Sequence, residues 1–401
     1  MNFSKMKKIL IISLLTQLNL FAQQYLPFKG KVVDSETQNP IEGVHLRVGN
    51  IGTSTNMKGD FLLKIPTKLW SSTLTISAIG YNNFTQKIES FDTLFHSIVL
   101  ESTSTKLDEV KVYSSAVAIV KSAFNQIESN YFSSPTLLKG FYREVSQDFV
   151  TTKYRYLAEA VLEVFKPSYQ SSSEGNIYII QSRKKEFVEA DSIQTFFTSA
   201  TFIPVTYDVV HEKMDFINPK YLYDFNYKIQ DITTLDNQDV YVISFTPKNE
   251  GSTSWTGKLY INTVDNAFVG IDYVFNNAWL NKNSTDNFRA ITTYKAKETK
   301  VRYQKIEGKY YLQNVFHTIT LHRLRKGKEE NIKLEVEFTT TDIETNNVQK
   351  PKDGSKAHRS DIFLKVAGVM DELFWGNYTT VLQSIPLQEQ LNNLSKKAFN
   401  K

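Results

Sequence analysis

The sequence predicts a mainly β protein: a small N-terminal antiparallel β-sandwich, then a helix, then a larger antiparallel β-rich α+β domain. Three observations carry this reading. Short alternating apolar runs, separated by Gly, Asn, Asp and Pro turns, fill residues 27–101. One stretch with apolar residues three and four apart follows at 114–130. Long alternating runs rich in Tyr and Phe then extend from Phe141 to about Thr341 in a chain that is 13% aromatic. With 401 residues, 41% of them hydrophobic, the chain is long enough for two or three domains with sizeable cores.

Residues 1–23 read as a secretory signal rather than as part of the fold. Lys5, Lys7 and Lys8 precede an apolar region made of Ile9 to Leu15 and Leu18 to Phe21, and Ala22 offers a small residue for cleavage. Without those three lysines the formal charge of +5 falls to +2, so the basicity gives no argument for nucleic acid. Cysteine is absent, which excludes disulfides, thiol catalysis, thiolate metal sites and a lipid-anchored N-terminal Cys. After the signal no apolar run approaches ~18 residues, so no transmembrane helix is expected.

In the first module, "FKGKVVD" alternates up to Asp34 and "SETQNP" closes a turn at Pro40. "VHLRV" alternates again, and "GNIGTSTNMKGD" is turn material before "FLLKI", "LTISAIGY", "FTQKI" and "HSIVL". Gly59 is expected to take a positive φ, and Asn56 to bond its own downstream backbone. Phe61 and Leu63 should share one face with Leu62 on the other. The residues Gly30, Val32, Asp34, Pro40, Gly43, Val44, Thr55, Asn56, Gly59, Phe61, Ile79, Gly80 and Tyr81 resemble the pattern of the carboxypeptidase regulatory-like domain. That resemblance implies a transthyretin-like sandwich. The family more often carries Asp where this chain has Asn56, which weakens any idea of a cation there.

"LDEVKVY", within a linker strand at 102–113, is similar to segments that follow this domain in exported and outer-membrane proteins of the Bacteroidetes type. The helix comes next, with Ser114 or Ser115 as its cap and Asn130 as its end. Strands are then expected at 141–150, 153–165, 176–182, 225–232, 239–246, 256–263, 267–275, 288–303, 308–324 and 331–341. Residues 188–222 interrupt them with helical-looking sequence. The polar stretch 345–359 reads as a mobile loop, and a short helix after Pro386 closes the chain. The run from Tyr241 to Phe275, with "GKLYIN" and "AFVGIDY", resembles the sheet core of LolA-like lipoprotein carriers. That resemblance implies a curved sheet around an apolar cavity.

Candidate chemistry is thin. Six histidines carry no H-x-x-E or H-E-x-x-H spacing, and His317 and His322 should face opposite sides of one strand. No G-x-S-x-G, P-loop or G-x-G-x-x-G occurs, and no spacing pairs two carboxylates. No catalytic, metal or cofactor residues are therefore assigned. "SRKKE" at 182–186 and "HRLRKGKEE" at 322–330 read as solvated hairpin tips. "EAD" at 189–191 and "DE" at 371–372 read as solvated surface, and Asp92-Thr93-Leu94 and Asp191-Ser192-Ile193 resemble a short O-glycosylation motif. Aromatics point to binding: Trp255, Tyr260, Phe268, Tyr273 and Phe275 lie on consecutive predicted strands, with Trp279 following. They form either an apolar binding surface or ordinary core. The expected function is a non-enzymatic exported envelope protein that binds a lipid or another envelope protein, in the periplasm or at the outer membrane. A small outer-membrane β-barrel, a transporter-associated component and an unrecognised hydrolase are the rivals.

Overall fold

A computed structural model describes residues 25–56, 58–69, 71–88, 94–103, 115–188, 199–249, 255–287, 290–352, 354–368, 381–383, 387 and 389–391. The signal segment, the linker strand beyond Thr103, "EAD", "DE", the Asp191 motif, Asp92-Thr93 and most of the expected terminal helix lie outside them.

Seven strands build the first module: β1 (Tyr25–Asp34), β2 (His45–Val48), β3 (Ile51–Ser54), β4 (Asp60–Pro66), β5 (Thr73–Ser77), β6 (Phe84–Lys87) and β7 (Phe95–Leu100). They form two sheets, β4-β1-β7 and β3-β2-β5-β6. One pair departs from the antiparallel expectation, since β7 returns parallel to β1. The core between the sheets includes Val32, Val44, Leu46, Phe61, Leu63, Ile65 and Ile76, each fully buried. Leu62 is only half-buried, as the period of two requires. The turn into β4 is built as its residues predict. Asn56 Oδ1 accepts from the Lys58 and Asp60 amides at 2.9 and 3.0 Å. Gly59 has φ +74°, and a Cβ there would collide with the Val32 carbonyl oxygen.

The helical stretch is two helices rather than one, α1 (Ala116–Asn125) and α2 (Ile127–Asn130), separated at Gln126. Ser115 caps the first by accepting from the Ala118 amide at 3.2 Å. Strands β8 (Thr136–Asp148), β9 (Tyr154–Lys166) and β10 (Asn176–Glu186) follow. The insert after β10 carries two short helices, α3 (Ile203–Thr206) and α4 (Val209–Glu212). Then come β11 (Phe225–Leu235), β12 (Gln238–Pro247), β13 (Trp255–Asn262) and β14 (Phe268–Phe275), and a short helix α5 (Asn277–Asn283). The chain continues through β15 (Thr285–Asn287), β16 (Ala290–Ile306), β17 (Lys309–Arg325), β18 (Lys328–Glu344), β19 (Ser355–Lys356) and α6 (Phe363–Val366).

All strands from β8 onward belong to one twelve-stranded sheet, ordered β11-β12-β13-β14-β16-β17-β18-β8-β9-β10-β19 with β15 beside β16. Each pair in it is antiparallel. The last long strand, β18, pairs with the first, β8, which joins the two halves of the domain in one continuous sheet. Among the described residues the sheet runs from β11 at one end to β19 at the other, and no pairing joins those ends. No described helix is long and apolar enough to cross a membrane.

The inner face of the sheet carries the main core, covered by α1, α2, the insert and α6. The outer face meets the N-terminal sandwich. There Asn50 Nδ2 donates to Asp342 at 2.7 Å, Asn83 Nδ2 to Asp236 at 3.1 Å, and the Gly80 amide to the Thr234 carbonyl at 2.8 Å. The stretch 345–359, expected as a mobile loop, supplies β19 on the edge of β10 and Arg359, which pairs with Glu174. The two expected solvated tips are also better ordered than their composition suggests. Arg183 lies 2.7 Å from Glu159, and Arg323 2.5 Å from Glu330, because β10 and β17 stay paired through those runs and lay the guanidiniums over neighbouring strands.

Candidate functional site

On the inner face an aromatic row crosses β12, β13 and β14. Phe216, from the insert, stacks on Phe245 at 4.5 Å and meets Tyr273 at 5.3 Å. Trp255 pairs across the strands with Phe275, their rings 4.3 Å apart. Asn276 caps α5 by accepting from the Trp279 amide at 2.9 Å, and Trp279 then lies 4.4 Å from Phe275 and 5.6 Å from Tyr294. Trp255, Trp279 and Tyr294 are only half-buried, so the row is closed at Phe216 and open at Trp279. Lys297 stands at that open end, its Nζ 4.2 Å from the centre of the Phe275 ring and 4.8 Å from that of Trp279. Burial lowers the ammonium to about 8, and no carboxylate pairs with it among the described residues.

The expected aromatic set is divided by strand geometry. Trp255, Tyr273 and Phe275 belong to the row. Tyr260, five residues from Trp255 on a period-two strand, points to the outer face and donates to Asp272 at 3.1 Å, with Arg302 over its ring. A bulge at Val269 brings Phe268 onto the inner face, where it is fully buried in the core. Phe216 and Lys297 are members that strand alternation does not reveal. Phe216 arrives from an irregular insert, and Lys297 reads as a surface lysine until its strand register is known.

The insert is locked down by a buried polar cluster. Asp208 takes Lys166 Nζ at 2.5 Å, Tyr169 OH at 2.9 Å and Tyr303 OH at 2.8 Å. Burial works against its charge, but Lys166 and His211 hold the carboxyl below its usual range. Nearby, His317 stacks on Tyr207 at 4.3 Å, and its ring nitrogens meet Thr299 Oγ1 at 2.8 Å and Tyr207 OH at 3.2 Å. Burial, with Lys297 adding to it, drives His317 down to about 3. The ring is thereby held between a hydroxyl of β16 and one of the insert. His322, on the opposite face, is half-buried.

The outer face presents a row of side chains in strict register. Lys300, Phe316, Glu337, Arg143, Glu159 and Arg183 stand opposite one another on β16, β17, β18, β8, β9 and β10. Arg143 bridges Glu337 and Glu159, each at 2.8 Å. Burial opposes the charge of Glu159, but Arg143 and Arg183 hold it below its ordinary value. A C-terminal strap crosses this row. Arg143 donates to the Val381 carbonyl at 2.6 Å, Asn56 Nδ2 to those of Leu382 and Gln383 at 3.2 and 3.3 Å, and Leu387 packs with Val145 and Leu157. Between the strap, the Asn56 turn and the sheet lies a cleft of about 400 Å³. The corner that opens β4 is therefore also the wall of a cleft. Among the described residues no three His, Asp or Glu side chains gather as a metal site.

No curated protein matches the chain. Two of the similar solved structures are a LolA superfamily protein from Nitrosomonas europaea (11% identity, TM-score 0.26) and a DUF1329 family protein from Desulfovibrio piger (12% identity, TM-score 0.26). Each comparison covers 59% of this chain and 96% of the other. Neither likeness bears on ligand or activity. The sandwich and its Asn56–Gly59 turn are matched by a family model over residues 28–112, and that part of the chain is a CarboxypepD_reg-like domain.

Proposed function

We propose that this is a non-enzymatic binding protein of the cell envelope, exported by its leader, whose inner aromatic row seats the apolar part of a lipid. The observation that carries the reading is Lys297. It is a half-buried ammonium between Phe275 and Trp279, without a carboxylate among the described residues, at the open end of an aromatic row. Aromatic walls suit an acyl chain, and an uncompensated cation suits an anionic head group. A second reading, docking to an envelope protein, is favoured by Phe95 and Val99. They are 59% and 46% exposed on β7, an edge strand of the sandwich.

Native mass spectrometry of the protein, released gently from its own envelope, tests both. The expected result is a retained lipid mass, with occupancy falling at least about fivefold in Lys297→Met, roughly 1 kcal/mol of binding. A retained protein partner would support docking instead, and an empty monomer would overturn the lipid reading.

A further inference from the structure

The cleft on the outer face lies on the opposite side of the sheet from the aromatic row. Its volume of about 400 Å³ lies within the range of small-molecule sites, and it sits where two domains meet. Its lining divides by chemistry. Val145, Phe316, Leu382 and Leu387 supply apolar wall, while most polar groups come from neighbouring positions on β16, β17 and β18, with Arg143 on β8 and Glu42 and Asn56 from the sandwich.

The charges do not cancel. At the rim Lys333 is taken by Glu335 at 2.7 Å, and Lys300 lies 3.8 Å from Glu42. Deeper, Arg143 is shared between Glu337 and the fully buried Glu159. Every cation lining the cleft is thus engaged. Two carboxylates are not fully used. Glu337 accepts from Arg143 through Oε1, and no bond reaches its Oε2 among the described residues. Glu298, two positions along β16 from Lys300, has no ion-pair partner among them. Burial, with Glu159, Glu42 and Glu335 adding to it against Arg143, raises Glu337 to about 7. The one guanidinium that Glu337 shares with Glu159 leaves its second oxygen turned to the cleft without a cation among the described residues.

We infer that this cleft is a binding site for an organic cation, a primary amine carried on an apolar stem, with the ammonium at Glu337 and the stem against Phe316 and Leu387. A bound ammonium favours the carboxylate form, so affinity should rise as pH passes upward through about 7. The inference is independent of the lipid reading, because the cleft and the aromatic row share no aromatic residue.

Isothermal titration of the full chain with hexylamine, against hexanol as its uncharged counterpart, tests it. The expected result is binding of hexylammonium at least tenfold tighter than hexanol, and several-fold tighter at pH 8 than at pH 6. Glu337→Gln, which keeps the acceptor for Arg143, should remove the preference and its pH dependence. Glu186→Gln, away from the cleft, should leave both intact. Equal affinity for hexanol, no measurable binding of either probe, or an unchanged preference in a Glu337→Gln chain with wild-type circular dichroism would overturn the assignment.

Discussion

Two buried carboxylates in this protein have opposite settings, and the neighbouring residues decide which. Asp208 faces Lys166 and stays ionised. Glu144, also fully buried, meets among the described residues only the hydroxyls of Tyr142 at 3.0 Å and Tyr156 at 2.5 Å. Burial raises it to about 7 despite those two hydrogen bonds. Folded chains therefore keep this proton up to about pH 7, while unfolded chains release it near 4.5. Its contribution falls as pH rises through that window, by about 3 kcal/mol in all. Glu144→Gln removes the titration, and either tyrosine hydroxyl can turn to accept from the amide. Urea unfolding should show the variant within about 1 kcal/mol of the parent at pH 5 and about 2–3 kcal/mol more stable at pH 8, relative to that baseline. The same difference at both pH values would mean that Glu144 is not held protonated.

Among the elements, the Asn56 turn shows what the sequence discloses and what it withholds. Gly59 and the bonds from Asn56 to its own backbone are local, and local chemistry predicts them. The two bonds from Asn56 Nδ2 to the strap span more than three hundred residues, and no local pattern encodes them. The same division holds elsewhere. Strand alternation placed all ten long strands of the second domain within a few residues, but the single helix it implied breaks at Gln126. The parallel β1–β7 pair and the bulge that turns Phe268 inward depend on partner strands. For the candidate site, three of five expected aromatics share the row, and Tyr260 lies on the reverse side by simple parity. Because the turn and the strap use opposite ends of the Asn56 amide, they are separable. Asn56→Asp retains the acceptor for Lys58 and Asp60 but replaces the donor with a second oxygen facing two carbonyls. Hydrogen exchange across 381–391 should accelerate at least about tenfold, equivalent to about 1.4 kcal/mol, with exchange in β4 unchanged. Equal acceleration in β4 would show that the turn itself had failed.

At the scale of the molecule, the question is whether the sandwich and the large sheet unfold together. Their seam is polar: Asn50 to Asp342, Asn83 to Asp236, Gly80 to Thr234, Thr103 to Thr234, and Asn314 to Ser54. Seams of that character commonly join domains that move independently. Three features oppose independence here. The bonds fall at both ends of the sandwich, at the β2–β3 turn and near Gly80, which prevents rocking about one point. They reach β18 at the middle of the sheet and the β11–β12 turn at its edge, so separation would strain the sheet across most of its width. The strap ties the same two bodies a third time, through Asn56 and Arg143. The sandwich core is also small, and modules of that size are only marginally stable alone. Scanning calorimetry of the full chain should therefore show one transition, with van't Hoff and calorimetric enthalpies agreeing within about 10%. Replacing Asn50 and Asn83 by Ala together with Asn56→Asp, which keeps the acceptor of the turn, should split it, the sandwich melting first. A single unsplit transition in that triple variant would place the coupling in the apolar contacts of the seam, and two transitions in the unmodified chain would mean that the sandwich is a tethered module.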